Sequence, residues 1–308
     1  MNTIKQILAI IDPTAESQHG LSRSIELAKK SGASITAFMS IYDFSYEMTT
    51  MLSGDEREAM RNAVVKDRQL WLDEILQHYP DVDIKSQVVW HNRTYEAIID
   101  TVIDQQFDLV VKGTHQHDTL KSVIFTPTDW HLIRKCPAPV LLVKEHAWPS
   151  QGNILAAVNA VSENQQHLDL NHRIIQDAQF LCELANASLS IVNAYPATPV
   201  NIAIEIPEFN PSIYNESVKK HHIESTHELA ASHQIAQQNC VIEEGLPEDV
   251  IPDVAKRLNS ELVVIGTVGR TGLSAALVGN TAEHVIDSLD CDVLALKPDG
   301  YVSPLAKD

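Results

Sequence analysis

The sequence predicts an α/β protein of two tandem domains, each built on a parallel five-stranded sheet. The chain has 308 residues, a length typical of two domains, and it repeats itself once. Three segments of the first half return in the second: 7–12 as 154–159, 107–114 as 260–267, and 140–144 as 293–297. The period is that of a whole domain and not of a solenoid repeat. We therefore expect domains over 1–146 and 152–308, joined by a linker that contains Pro149.

Short apolar segments predict the strands of the first half. They are rich in Val, Ile and Leu, which is typical of strands buried on both faces of a parallel sheet. They span 7–11, 34–39, 84–89, 108–112 and 139–143.

Helices are predicted between these strands. Leu21 and Ile25 share one helical face, and Gly32 ends that helix. Ser53, with Glu56 three residues later, resembles a capping box that opens a long helix.

The second half repeats the alternation of strand and helix. Val250 and Val254 share a helical face, and Asn280 followed by Glu283 fits the start of a further helix. Such alternation indicates a parallel sheet with right-handed crossovers, in which ligands bind beyond the carboxyl ends of the strands.

The charge of the chain excludes several classes of function. Lys and Arg number 23 against 41 Asp and Glu, so the formal net charge is −18. A protein this acidic repels nucleic acids and anionic membranes unless it has a basic patch, and the sequence shows none. The four cysteines form no Cys-x-x-Cys pair, and no segment fits a membrane span or a signal peptide. We therefore expect a cytoplasmic protein.

A glycine cluster marks a candidate phosphate site in the second half. Four of the 11 glycines fall within 14 residues: Gly266, Gly269, Gly272 and Gly279. They follow a predicted strand and precede a helix, and Arg270 supplies a cation among them. The cluster matches neither Gly-x-x-x-x-Gly-Lys-Ser/Thr nor Gly-x-Gly-x-x-Gly, and a tight turn alone would also explain it.

The spacing Gly266-x2-Gly269-x9-Gly279-Asn280-Thr281 resembles the glycine loop of ATP-binding universal stress proteins, with Asn280 where that family has Ser or Thr. The resemblance covers both halves, as in the tandem members of the family. It implies Rossmann-like domains of the adenine nucleotide alpha hydrolase type, a cytoplasmic stress role and an internal pseudo-dimer, and it leaves a homodimer open. It also implies ATP or ADP held by the loop glycines and by the Asp after the first strand.

The two halves depart from this pattern in complementary ways. The first half keeps Asp12, but Gln116 and Thr126 replace two loop glycines, and Pro127 removes an N–H donor at the helix start. The second half keeps the glycines but has Asn159 in place of the Asp. We therefore expect adenine nucleotide, or another phosphate-bearing molecule, in the second half and no binding of this kind in the first.

The expected nucleotide-binding residues are Asn159, Gly266, Gly269, Arg270, Gly279, Asn280 and Thr281. Backbone donors come from the loop, phosphate charge from Arg270, and a hydrogen bond to sugar or base from Asn159. No general base for an attacking water is evident, so we expect binding without strong catalysis. A weak ATPase, or a scaffold for a hydrophobic or metal ligand, is the alternative.

Four histidines of the first half form a candidate zinc site, because each follows a predicted strand end or opens a helix: His91, His115, His117 and His131. Neutral imidazoles with a carboxylate are common zinc ligands, and Asp118, Asp129 and Cys136 lie nearby. The chain has 14 histidines, so chance clustering is the simpler explanation.

In each half an apolar segment follows the second strand. The segments are residues 43–52 in the first half and 196–214 in the second. Four prolines predict that the second of them is a stiff extended loop. Exposed apolar loops favour aggregation, so we expect a cover: the other half of the chain or a hydrophobic, acyl-bearing ligand.

Overall fold

A computed structural model describes residues 3–46, 52–116, 123–162, 164–197, 210–267 and 280–306. The chain divides into two compact units. The first domain comprises residues 3–145 together with the described residues after 301, and the second domain comprises residues 146–301.

The first domain is a parallel five-stranded sheet with helices between its strands. Its elements are β1 (Gln6–Ile10), α1 (His19–Ser31), β2 (Ser34–Ile41), α2 (Gly54–Leu76), β3 (Ile84–Trp90), α3 (Thr94–Gln105), β4 (Leu109–Gly113), β5 (His115–Gln116), β6 (Val123–Ile124), α4 (Pro127–Lys135) and β7 (Val140–Val143). The parallel strands lie in the order β3-β2-β1-β4-β7, and β5 pairs antiparallel with β6. Most residues of β1, β4 and β7 are buried, as helices on both faces of a sheet require.

The second domain repeats this arrangement. Its elements are β8 (Asn153–Ala157), α5 (Gln165–Ala185), β9 (Ser188–Tyr195), α6 (Pro211–Ser232), β10 (Cys240–Glu244), α7 (Pro247–Arg257), β11 (Ser260–Gly266), α8 (Asn280–Ser288) and β12 (Asp292–Leu296). The strands lie in the order β10-β9-β8-β11-β12 and are all parallel. The predicted α/β fold with five-stranded parallel sheets is therefore confirmed.

The strand order creates one crevice in each domain. In the first domain β1 lies between β2 and β4, and in the second domain β8 lies between β9 and β11. The connections leave these central strands in opposite directions, so a crevice opens at their carboxyl ends. Open α/β sheets bind their ligands at this point.

Local signals in the sequence place the helix ends. Gly32 ends α1 in the left-handed conformation, with a φ of 75°, which glycine adopts without strain. Ser53 and Glu56 form the predicted capping box: the Ser53 N–H donates to Glu56 Oε2 at 2.8 Å, and the Glu56 N–H donates to Ser53 Oγ at 3.3 Å.

The prediction of an extended loop over 196–214 is wrong at its carboxyl end. α6 begins at Pro211, and the Asn210 side chain accepts hydrogen bonds from the N–H groups of Ser212 and Ile213. Proline fits the first turn of a helix because a backbone N–H group at that position would have no partner within the helix. Residues 198–209 lie outside the described part of the chain.

Two apolar side chains of these segments are exposed in the structure. Phe44 is 61% exposed and Ile213 is 66% exposed. Residues 47–51 lie outside the described part of the chain. A hydrophobic ligand near 43–52 and 196–214 stays a prediction.

Replacing Ser53 with Ala should loosen the start of α2. Loss of a capping side chain costs about 1 kcal/mol, so the first-turn amides should exchange about fivefold faster in hydrogen-exchange mass spectrometry. Ser217→Ala is the control, because Ser217 is exposed within α6 and bonds only a carbonyl of the preceding turn. Unchanged exchange at α2 in Ser53→Ala would contradict the capping role.

Candidate functional site

A cavity of about 290 Å³ lies at the crevice of the first domain. Asp12, which follows β1, and Lys112, which lies in β4, line it together with the hydroxyl-bearing Thr114, Thr126 and Thr128. The lining is therefore partly polar and contains charges of both signs, together with apolar residues such as Ile10 and Ile11.

Asp12 shapes the loop that follows β1. Its Oδ1 accepts hydrogen bonds from the Thr14 N–H at 2.8 Å and the Thr14 hydroxyl at 2.6 Å. The Gln18 side chain accepts from the Asp12 N–H at 3.0 Å and donates to the Asp12 carbonyl at 2.6 Å. These bonds fix the carboxylate at the edge of the cavity.

The start of α1 contacts the end of β4 directly through the backbone. A Cβ atom on Gly20 would lie 2.8 Å from the Gly113 nitrogen, so this contact requires glycine. Both residues line the cavity, which thus borders the N-terminus of α1 as well as the two strand ends.

A buried ion pair lies beside this cavity. Lys112 Nζ is 2.8 Å from Asp129 Oδ1, and it also donates to the Gly113 carbonyl at 3.1 Å. Asp129 is the third residue of α4, and its Oδ2 accepts from the Thr126 N–H at 2.7 Å and the Thr126 hydroxyl at 2.8 Å. The helix start therefore has its own carboxylate, which Lys112 neutralises.

Asn159 and Gly266 lie at the same edge of the second domain. β8 pairs with β11, with Ala157 opposite Ile265, and these two candidate residues follow at the carboxyl ends. Asn171 holds the Asn159 backbone: its Oδ1 accepts from the Asn159 N–H at 3.0 Å, and its Nδ2 donates to the Asn159 carbonyl at 2.7 Å. Asn159 is exposed.

Gly266 ends β11 where the backbone packs against α5. A Cβ atom there would lie 2.5 Å from Leu170 Cδ2 and 3.2 Å from Ile174 Cδ1, so glycine permits this packing. The carbonyl of the next residue, Thr267, accepts a hydrogen bond from the Lys297 ammonium at 3.1 Å.

The remaining candidates lie at or beyond the loop between β11 and α8. α8 begins at Asn280 as predicted, and Thr281 is exposed in its first turn. Gly269, Arg270 and Gly279 lie outside the described part of the chain.

The helix that follows the fourth strand differs between the two domains in its third residue. α4 begins at Pro127 and has Asp129 at that position, whereas α8 begins at Asn280 and has the buried Ala282. The internal repeat also places Ile265 where the first domain has Lys112. Both members of the ion pair are therefore replaced by apolar residues in the second domain.

Sequence reasoning missed this pair, although it left a signal. A lysine interrupts the apolar strand β4 at a position that is isoleucine in β11, and a buried lysine requires a counter-charge. Of the residues expected near the candidate zinc site, Asp129 has other partners, because Lys112 and Thr126 contact its oxygens.

Two of the four candidate zinc ligands have other partners. His91 Nδ1 lies 3.0 Å from the Arg93 nitrogen, and the His131 ring stacks on Tyr95 with 3.9 Å between centroids. The described residues contain no group of three or more His, Cys, Asp or Glu side chains placed for a metal. The side chain of His115 and all of His117 lie outside the described part, so the zinc site stays a prediction.

Comparison with known families accounts for the repeat. The model of the Universal stress protein family matches residues 3–144 and again residues 154–297. The chain belongs to the universal stress protein family. The resemblance to this family and the tandem arrangement are thereby confirmed.

Relatives align over nearly the whole chain. Universal stress protein E of Escherichia coli (strain K12) is 50% identical, covering 100% of this chain and 98% of the relative. A universal stress protein E homolog of Haemophilus influenzae is 41% identical, covering 96% and 97%.

Solved structures share this architecture. A protein of unknown function from Pseudomonas aeruginosa PAO1 is 29% identical, with a TM-score of 0.74 over 99% of this chain and 96% of that one. A universal stress protein from Archaeoglobus fulgidus is 16% identical, with a TM-score of 0.64 over 95% and 98%, and supports the fold alone. Among the described helices of this protein, none has the length and hydropathy of a membrane span.

The stacked His131 should make the stability of the first domain depend on pH. Burial, followed by the charges of Lys135 and Arg134, lowers the pKa of His131 below its ordinary value of 6.5. As the pH falls below 6.5 the unfolded chain binds this proton first, so the free energy of unfolding should decrease. Measured by urea unfolding, the free energy of unfolding should decrease less in His131→Phe than in the wild type over the same fall in pH.

Tyr95→Phe is the matched control for this experiment. It removes the hydroxyl that donates to Glu96 at 3.0 Å but keeps the ring that covers His131. It should retain the pH dependence of the wild type, and an equal dependence in His131→Phe would contradict the role of His131.

Proposed function

We propose that the second domain binds an adenine nucleotide or another phosphate-bearing ligand beyond the carboxyl ends of β8 and β11, without strong catalysis. The family connects the chain with the stress response. The proposal rests on the start of α8, whose third residue is Ala282 where α4 has Asp129.

The start of a helix attracts anions because its first N–H groups have no partners within the helix and the helix dipole is positive there. In α4 the Asp129 carboxylate satisfies such a donor. In α8 Ala282 stands at this position, the acidic residue of the first turn is Glu283, and Thr281 is exposed. We infer that a phosphate of a ligand takes the place in α8 that the Asp129 carboxylate occupies in α4.

The strand ends supply the other half of the site. Asn171 holds the backbone of Asn159 on both sides, which places the exposed Asn159 at the edge where Gly266 ends β11. An amide at this place can bond a ribose hydroxyl or a base, although without the charge assistance of a carboxylate. We expect weaker binding than an Asp would give.

The loop residues complete the proposed cradle. Backbone N–H groups of Gly269, Gly279 and Asn280 bind phosphate oxygens, and the Arg270 guanidinium balances their charge. The cytoplasmic location, the internal pseudo-dimer and a homodimer stay predictions.

Titration calorimetry of ATP tests the site through Gly269→Gln, which introduces the residue type found at position 116 of the first domain. The added side chain opposes close approach of the loop to phosphate, so affinity should fall at least about tenfold. Gly54→Gln is the matched control: it adds the same side chain at the exposed start of α2, where a Cβ meets nothing within 4 Å. Equal heats from wild type and Gly269→Gln would remove the loop from the site.

A phosphate-release assay separates binding from weak ATPase activity. We expect release from ATP at the rate of buffer alone, because the sequence offers no general base for water. Steady release that disappears in Arg270→Ala would establish the ATPase instead.

A further inference from the structure

The Lys112–Asp129 pair sets the charge of the first-domain cavity. The Lys112 side chain is 9% exposed and lines the cavity, whereas Asp129 is fully buried. Their 2.8 Å contact means that a ligand meets an ammonium group whose charge is already balanced.

Asp129 also occupies the place of an external anion at the start of α4. Its Oδ2 accepts the Thr126 N–H and the Thr126 hydroxyl, the kind of donors that a bound phosphate oxygen would take. One carboxylate thus satisfies both a cation and a helix start that together would form an anion site.

Asp12 and the start of α1 act in opposite directions on an anion in the cavity. The Asp12 carboxylate lines the cavity and accepts the N–H and the hydroxyl of Thr14. This carboxylate repels a phosphate group, whereas the start of α1, which borders the cavity at Gly20, attracts one, so neither feature alone closes the cavity to anions.

We propose that Asp129 is an internal anion that closes the first-domain cavity to phosphate-bearing ligands, so that this cavity selects small molecules without a phosphate group. The hydroxyl groups of Thr94, Thr114 and Thr128 suit an uncharged, hydroxyl-bearing molecule. Asp129 is the residue that determines this specificity.

Removing the internal anion should therefore create a phosphate site. In Asp129→Ala the residue matches Ala282 of the second domain, but Lys112 remains and faces the cavity without its counter-charge. The ammonium of Lys112 and the N–H of Thr126 are then available to a ligand oxygen. Charge-assisted bonds of this kind should raise the affinity for pyrophosphate about tenfold.

The experiment is a calorimetric titration of inorganic pyrophosphate into the full-length chain as wild type, Asp129→Ala and Asp108→Ala. Asp108 is the matched control, because it also accepts backbone N–H groups, from Lys5 and Gln6, but lies at the amino end of the sheet. All three chains contain the same second domain, so its contribution cancels. Tighter binding in Asp129→Ala alone supports the proposal.

Adenosine serves as the probe without phosphate. Its binding to wild type and Asp129→Ala should be equal, because it presents no anion to the uncovered lysine. A parallel gain for adenosine would show that Asp129→Ala only opens space, and would overturn the proposal. Equal pyrophosphate affinity in wild type and Asp129→Ala, or an equal gain in Asp108→Ala, would overturn it too.

Asp129→Asn keeps the test decisive if Asp129→Ala fails to fold. The amide has the same size and retains an acceptor for the Thr126 N–H, while the charge that neutralises Lys112 is lost. A smaller gain in pyrophosphate affinity is expected, and no gain in a folded Asp129→Asn chain would overturn the proposal.

Discussion

The N–H groups at the start of the helix after the fourth strand need an acceptor, and the two domains meet this need differently. Helical geometry leaves these donors without partners in the helix, and the dipole adds positive charge at the same place. The first domain provides Asp129 from within the helix, and the second domain has Ala282 there. Two sheets of the same topology thus present different chemistry at their ligand-binding edges.

The two domains differ in both members of the ion pair together. Removing one member of a buried pair costs about 3–5 kcal/mol, because the other charge stays buried without compensation. Replacing both members with apolar residues carries no such cost, and the second domain has Ile265 with Ala282. A stable domain is therefore expected to contain both members of the pair or neither. A lysine in the fourth strand accordingly goes with an aspartate at the start of the following helix.

Much of the fold could be predicted from sequence because its signals are local. Buried strands are continuous apolar segments, and the Ser53–Glu56 box and Gly32 determine backbone geometry within a few residues. The edge that carries Asn159 and Gly266 follows from the repeat and from the rule for parallel sheets.

Contacts between distant residues could not be read in this way. The partner of Lys112 lies 17 positions further along the chain, and the two meet only in the folded domain, where the start of α4 lies beside the end of β4. The prediction of a loop fails at Pro211 because proline fits both an extended loop and the first turn of a helix. The Asn210 cap, which shows that a helix begins here, depends on the backbone conformation and cannot be seen in the sequence alone.

The most direct test of this account is a crystal structure of the full chain soaked with a non-hydrolysable ATP analogue. The account predicts a triphosphate at the start of α8, with the ribose or base near Asn159, and no triphosphate in the first domain. A triphosphate beside Lys112 in the first domain, with the start of α8 vacant, would contradict it.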